Sequence, residues 1–138
     1  VEGLRTAVDL LLLAGSAPMA MQQDLATPAA VDAYLSAQMD RRLPALDAND
    51  LWYQVNASFD YDPSDGLERI TAPMTWINSA DDFINPPELG LAEQFVPRIT
   101  GVRYRLVPNS PAGKGHGTHT WAVFWKADLI DLLARTED

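Results

Sequence analysis

Two aspartates and two histidines are the residues of this chain whose types and order could support chemistry. Asp81 and Asp82 follow a short apolar run, and His116 and His119 come later, in a glycine-rich stretch. A carboxylate beside a histidine keeps one ring nitrogen protonated and stabilises the imidazolium, so that the other ring nitrogen can take a proton from a nucleophile. The sequence therefore suggests acid–base chemistry built on one aspartate and one histidine.

The elements around these residues predict a β-α-β unit that brings them together. Residues 73–78 are apolar and bounded by turn signals, which predicts a strand buried on both faces. Residues 85–96 predict a helix, and residues 102–107 alternate apolar and basic side chains, as a half-exposed edge strand does. Strands joined by such a crossover run parallel, so the aspartates after the first strand and the histidines after the second reach the same sheet edge.

The first half of the chain is predicted to be helical. One helix is expected over residues 1–14 and another over residues 50–59. Between them, Thr27 precedes a proline and is expected to cap a helix that ends before Pro44.

The end of the chain predicts a flexible loop followed by a long helix. The loop covers residues 109–118, and either Thr118 or Thr120 is expected to cap the helix. The spacing of large apolar residues predicts a buried stripe on this helix. The stripe comprises Trp121, Phe124, Trp125, Leu129, Leu132 and Leu133.

Composition excludes several classes of protein. The 138 residues carry a formal net charge of −9, which disfavours duplex DNA and anionic membranes as partners. The chain has no cysteine, so it can form neither disulfides nor thiolate metal sites. Asp9 interrupts the apolar run near the N-terminus, which disfavours a signal peptide, and no stretch of membrane-spanning length lacks a charge or a proline. We expect no metal ion, no cofactor, no nucleic acid and no membrane partner.

Two loops resemble those of a known enzyme family. Residues 78–88, Asn-Ser-Ala-Asp-Asp-Phe-Ile-Asn-Pro-Pro-Glu, resemble the acid-bearing loop of the homoserine O-acetyltransferase-like branch of the α/β-hydrolase superfamily. The triad aspartate of that branch corresponds to Asp82. Residues 109–116 resemble the histidine loop of the branch, which implies that His116 is the triad histidine. His119 stays open as an alternative, because the loop is longer here and offers a second imidazole.

The resemblance implies an α/β fold corresponding to the C-terminal part of an α/β-hydrolase. Residues 1–70 would form a helical lid, and residues 71–138 would form a β-α-β-α part of the core with parallel strands. If the first part is a lid, some of its large side chains could line an acyl pocket, although ordinary packing explains them equally well. These side chains are Tyr34, Met39, Trp52 and Tyr53.

The family's serine nucleophile has no counterpart in this sequence. The family carries it in a Gly-x-Ser-x-Gly-like turn between a strand and a helix, and none of the six serines has glycines at that spacing. We therefore expect the nucleophile to lie upstream of Val1, and we expect the chain alone to lack triad catalysis. Since two strands make a poor sheet, we also expect pairing with that upstream half or self-association.

Three functions remain open from the sequence. The first is hydrolysis of a small-molecule ester or acyl substrate, with Asp82 orienting His116 as the general base. The second is O-acetyl transfer of the homoserine acetyltransferase type. Hydrolysis is favoured over transfer because the lengthened histidine loop departs from the acetyltransferase pattern. The third is a non-catalytic α/β interaction domain in which the acidic and histidine loops are structural.

Overall fold

The computed structural model describes residues 2–136 as a mixed α/β chain with one small sheet. The helices are α1 (Glu2–Ala14), α2 (Pro18–Asp24), α3 (Pro28–Arg42), α4 (Ala48–Asn56), α5 (Leu91–Phe95) and α6 (Lys126–Ala134). The strands are β1 (Thr75–Ser79) and β2 (Arg103–Val107), and short 3₁₀ turns link several of these elements. Val1 of the predicted first helix and residues 137–138 of the predicted C-terminal part lie outside the described residues.

The N-terminal helices pack around a small apolar core. Val8 and Leu12 lie one turn apart on α1 and are 1% and 8% exposed, and both pack with Met39 of α3. As predicted, Thr27 caps α3, because its Oγ1 accepts a hydrogen bond of 3.2 Å from the Ala30 N–H. The cap stabilises the start of α3, and the apolar contacts hold α1 against it.

Two features of the helical half differ from the sequence prediction. The sequence did not predict α2, which begins directly at Pro18 after the break that ends α1. Helix α4 begins at Ala48, because Asp47 caps it by accepting hydrogen bonds from the backbone N–H groups of Asn49 and Asp50, and it ends at Asn56.

Within residues 2–136 no single helix is long and apolar enough to cross a membrane. Helices α1 and α2, which are bent by 100° relative to each other, meet that criterion only as a pair.

The two strands pair in parallel, as the predicted crossover requires. Their register runs from Thr75 opposite Arg103 to Ser79 opposite Val107. The prediction that β1 is buried on both faces is wrong, because only Ser79 is fully buried and the rest of the strand is half-buried. In a sheet of only two strands each strand has a free edge, so its residues keep part of their surface exposed.

The crossover is not the single helix that the sequence predicts. A 3₁₀ turn covers Pro87–Leu89, and Gly90 then adopts a left-handed conformation with φ of 68° before α5 begins. A second 3₁₀ turn, Val96–Arg98, follows α5. Glycine accepts the left-handed region at little cost, so Gly90 divides the crossover into short pieces.

The last helix is shorter than expected and begins later. Residues Gly115–Thr120 and Ala122–Phe124 form 3₁₀ turns, and α6 begins only at Lys126, so neither Thr118 nor Thr120 caps it. The expected buried stripe is also wrong in part. Three of its members are exposed to between 41% and 52%, and the others are half-buried. The exposed members are Trp121, Leu129 and Leu133.

Ion pairs attach α6 to the edge strand β2. The Arg105 guanidinium donates to both carboxylate oxygens of Asp128, at 2.8 and 2.7 Å, and also to the Phe124 carbonyl. Arg103 makes a single bond of 2.6 Å to Asp131. The basic side chains that alternate along this strand therefore bind the acidic face of α6, and only Arg103 remains mostly exposed.

Candidate active site

The loops that follow the two strands meet at one edge of the sheet. Strand pairing extends one residue past β1, because the Ala80 N–H donates to the Val107 carbonyl at 2.9 Å. Asp81 and Asp82 come next on the first loop, and the second loop carries His116 in the 3₁₀ turn Gly115–Thr120. Parallel strands end at the same edge, and this common edge brings the two loops into contact.

Asp82 and His116 form a hydrogen-bonded pair. The Asp82 Oδ2 atom lies 3.0 Å from His116 Nδ1, and Oδ1 lies 3.3 Å from the same nitrogen. Oδ1 also accepts hydrogen bonds from the backbone N–H groups of Ile84, at 2.8 Å, and Asn85, at 3.0 Å. The side chain of Asp82 is 8% exposed and that of His116 is 35% exposed. These bonds hold the carboxylate in one orientation while the imidazole keeps access to solvent.

The surroundings of Asp82 favour its charged form. Burial alone raises the pKa of this carboxyl, but the bonds from the Asn85 N–H, the His116 ring and the Ile84 N–H, with the charge of a protonated His116, outweigh it. The net effect is a pKa below the usual value, so the carboxylate is ionised at neutral pH. An ionised Asp82 accepts a hydrogen bond from the protonated Nδ1 of His116. The neutral ring then carries its free electron pair on Nε2.

Two cavities adjoin the His116 ring. The first has a volume of about 570 Å³ and runs along β1, where Trp76, Ser79 and Asp82 line it. The second has a volume of about 610 Å³ and lies between the histidine loop and the N-terminal helices, where Leu12 and Tyr34 line it. Within residues 2–136 no hydrogen bond reaches His116 Nε2. A substrate in either cavity would therefore meet an imidazole whose other nitrogen is already oriented.

His119 is placed differently from His116. Its Nδ1 lies 2.6 Å from the His116 carbonyl oxygen, so this nitrogen carries the proton of the bond, and the two rings are 5.1 Å apart. The His119 side chain is exposed and, among the described residues, no carboxylate bonds to it. The structure thus brings His116, and not His119, to the Asp82 carboxylate.

Asp81 contacts the same loop at another point. Its Oδ2 accepts the backbone N–H of Gly115 at 3.1 Å, one residue before His116. The predicted topology placed Asp81 and Asp82 at this edge together, and only the family resemblance distinguished them, by assigning the triad role to Asp82.

Two glycines of the histidine loop are fixed by close contacts with other segments of the chain. Gly115 is buried with φ of 56°, and a Cβ there would lie 2.2 Å from the Ser16 carbonyl oxygen. A Cβ at Gly113 would lie 2.2 Å from Asp81 Oδ2. Sequence reasoning missed both constraints, since the glycines were taken as signs of mobility and not of close approach. The contact at Ser16 also places the α1–α2 turn directly against the histidine loop.

Ser16 and Ser79 line the cavities beside His116, and within residues 2–136 neither hydroxyl bonds to that ring. Ser79 Oγ is buried and makes no hydrogen bond within the described residues. Ser16 lines the second cavity, but its hydroxyl donates to the Leu13 carbonyl at 2.8 Å.

Of the suggested acyl-pocket residues, Tyr34 alone lines a cavity beside His116. Met39 is buried in the helical core, and Trp52 and Tyr53 on α4 are 64% and 71% exposed.

Neither a metal-ligand group within residues 2–136 nor a related protein indicates a function for this site. Within residues 2–136 no three side chains of the metal-binding types come together as a ligand group. No family model matches the chain, and neither curated proteins nor solved structures give a significant match. The geometry of Asp82, His116 and their loops is therefore the feature of this chain that bears on its function.

Proposed function

We propose that this chain is the C-terminal portion of a serine α/β-hydrolase that acts on a small-molecule ester or acyl substrate. One observation carries the proposal: an ionised, buried Asp82 bonds to Nδ1 of a partly exposed His116 at 3.0 Å. This is the arrangement that a general-base histidine needs, because the carboxylate selects the tautomer and stabilises the imidazolium. The nucleophile would come from a segment outside the 138 residues.

In the proposed reaction His116 moves one proton in each direction. Nε2 takes the hydroxyl proton of a serine as its oxygen bonds to the substrate carbonyl carbon, and the imidazolium then gives that proton to the leaving alcohol. Water then attacks the acyl-enzyme by the same two proton transfers through His116, which releases the acid and restores the serine. Asp82 keeps Nδ1 protonated throughout and does not itself accept the proton.

In this proposal the helical half acts as a lid over the histidine. The α1–α2 turn touches the histidine loop at Ser16, and apolar side chains of α1 and α2 face His116 across the second cavity. A cavity lined in this way suits an acyl chain, which loses its contact with water on binding. If an alcohol replaces water as the acceptor, the same pair would carry out acyl transfer, so product analysis with an acyl-CoA and homoserine distinguishes the two reactions.

The test uses the chain extended by the residues encoded directly upstream of it. Ester hydrolysis by the extended protein should fall about 10³- to 10⁴-fold in Asp82→Asn and His116→Ala. His119→Ala should lower it far less, and Asp40→Asn, an exposed change on α3, should leave it unchanged. An upstream segment without a serine turn, or full activity in Asp82→Asn, would favour the non-catalytic interaction domain instead.

The isolated 138-residue chain supplies the complementary experiment. It should show no ester turnover, and turnover that Asp82→Asn abolishes would mean that the nucleophile lies within the chain. It should also self-associate or bind the upstream half, because its two-stranded sheet leaves a face incompletely covered. Sedimentation analysis measures this, and a monodisperse monomer with cooperative unfolding would count against the proposal that the chain is one part of a larger enzyme.

A further inference from the structure

Two adjacent carboxylates bind two adjacent residues of the histidine loop. Asp82 bonds to the His116 ring, and Asp81 Oδ2 accepts the Gly115 N–H at 3.1 Å, so each bond spans 34 positions of the sequence. The first bond holds a side chain, whereas the second holds the peptide that leads directly into that residue. Asp81 therefore acts on the backbone position from which His116 extends.

The histidine loop is shaped to receive the Asp81 carboxylate. Any side chain at Gly113 would occupy the position of Asp81 Oδ2, since a Cβ there would be only 2.2 Å from it. Gly115 itself is buried, so its N–H would lose its acceptor within the protein if the carboxylate left. A buried N–H without an acceptor is unfavourable, and the loop would have to move to satisfy it.

From these contacts we infer that Asp81 is a positioning residue for His116. It acts by holding the Gly115 peptide, so that the imidazole reaches Asp82 with Nδ1 at hydrogen-bond distance. A charged acceptor gives a stronger and more directional bond to a backbone N–H than a neutral one does. The inference deepens the proposed function and rests on it, because it assigns to Asp81 the alignment of the general base.

A purely structural role for Asp81 would stabilise the loop without changing the His116 ring. The two possibilities are separated by measuring the ring and the backbone in the same sample. In the chain extended by the residues encoded upstream of it, with isotope-labelled histidine, NMR reports the His116 Nδ1–H proton and its exchange with solvent. Amide exchange reports Gly115 and, as a reference, Arg105 in the centre of β2.

In Asp81→Ala we expect Gly115 N–H and His116 Nδ1–H to exchange faster together, each by about tenfold or more. The Arg105 amide should keep its protection, because the Ala change does not alter the strand pairing of β2. Asp81→Asn retains an oxygen acceptor but loses its charge, so its exchange rates should lie between those of the wild type and those of Asp81→Ala. Asp40→Ala, which removes an equal charge from an exposed position on α3, should have no effect.

Gly113→Ala tests the inference without removing a charge, and it serves if Asp81→Ala fails to fold. Its Cβ should displace the Asp81 carboxylate and reproduce the faster exchange at both Gly115 and His116. The inference is overturned if Gly115 loses protection while the His116 ring signal remains that of the wild type. A wild-type chain with no protected Nδ1–H would instead refute the Asp82–His116 pair and, with it, the proposed function.

Discussion

The Asp82 carboxylate lies 3.0 Å from Nδ1 of His116, although a crossover and a complete strand separate the two residues in the sequence. The parallel register explains this proximity, because Ser79 lies opposite Val107 at the ends of the two strands. The acid loop and the histidine loop leave the sheet side by side from these positions. The pair therefore depends on the strand register.

The Asp82 carboxylate should contribute stability that is lost in acid. Since its folded pKa lies below the ordinary value of 3.8, its contribution is complete above that value and disappears as the pH falls through the lower folded pKa. Asp82→Asn should cost about 1–2 kcal/mol at neutral pH, because the charged bonds to two backbone N–H groups are weakened. Urea unfolding of both proteins measures this difference, and it should shrink below pH 3.8. A difference that does not change with pH would contradict the assignment.

Gly115 should tolerate no side chain. In Gly115→Ala the residue must keep φ of 56° and place a Cβ against the Ser16 carbonyl, so we expect a loss of about 2 kcal/mol or more in the free energy of unfolding. Gly117→Ala is the matched control in the same loop, because its nearest contact would be an ordinary 3.9 Å from Lys114 Cβ. Thermal unfolding compares the two, and equal stabilities would exclude the close approach between the loop and the α1–α2 turn.

The two arginines of β2 should differ in their contribution to stability. Arg105→Lys loses the two-oxygen contact with Asp128 and the bond to Phe124, and it should cost about 1 kcal/mol even after allowing for partial exposure. Arg103→Lys alters one exposed bond to Asp131 and should cost less than about 0.5 kcal/mol. Chemical denaturation of the two variants provides the measurement. The reverse order would mean that α6 is not attached mainly through Arg105.

Ser79→Ala should stabilise the isolated chain. The Ser79 hydroxyl is buried and, within residues 2–136, has no hydrogen-bond partner, so its removal relieves a desolvation cost of about 1 kcal/mol. We expect the melting temperature to rise by about 3 °C. The same variant distinguishes Ser79 from the nucleophile, because hydrolysis by the extended protein should continue. A lower melting temperature would show that another group satisfies the hydroxyl in solution.

The sequence by itself was sufficient to predict the order of the β-α-β unit and its parallel strands. An apolar run identified the first strand, and alternating apolar and basic residues identified the second. A crossover between parallel strands leaves few possible topologies. That topology also predicted that the aspartates and histidines share one sheet edge. The cap of α3 was predictable for a similar reason, since Thr27 acts on the N–H of Ala30, a few residues away.

Only the tertiary structure decided which side chains at that edge touch. Local pattern could not show that Asp82 meets His116 while Asp81 meets Gly115, because those contacts depend on a loop whose shape is set at Ser16 in the helical half. The late start of α6 and the division of the crossover at Gly90 were hidden for the same reason. Hydrophobic periodicity reports which residues can be buried together, whereas loop geometry is set by contacts between segments far apart in the sequence.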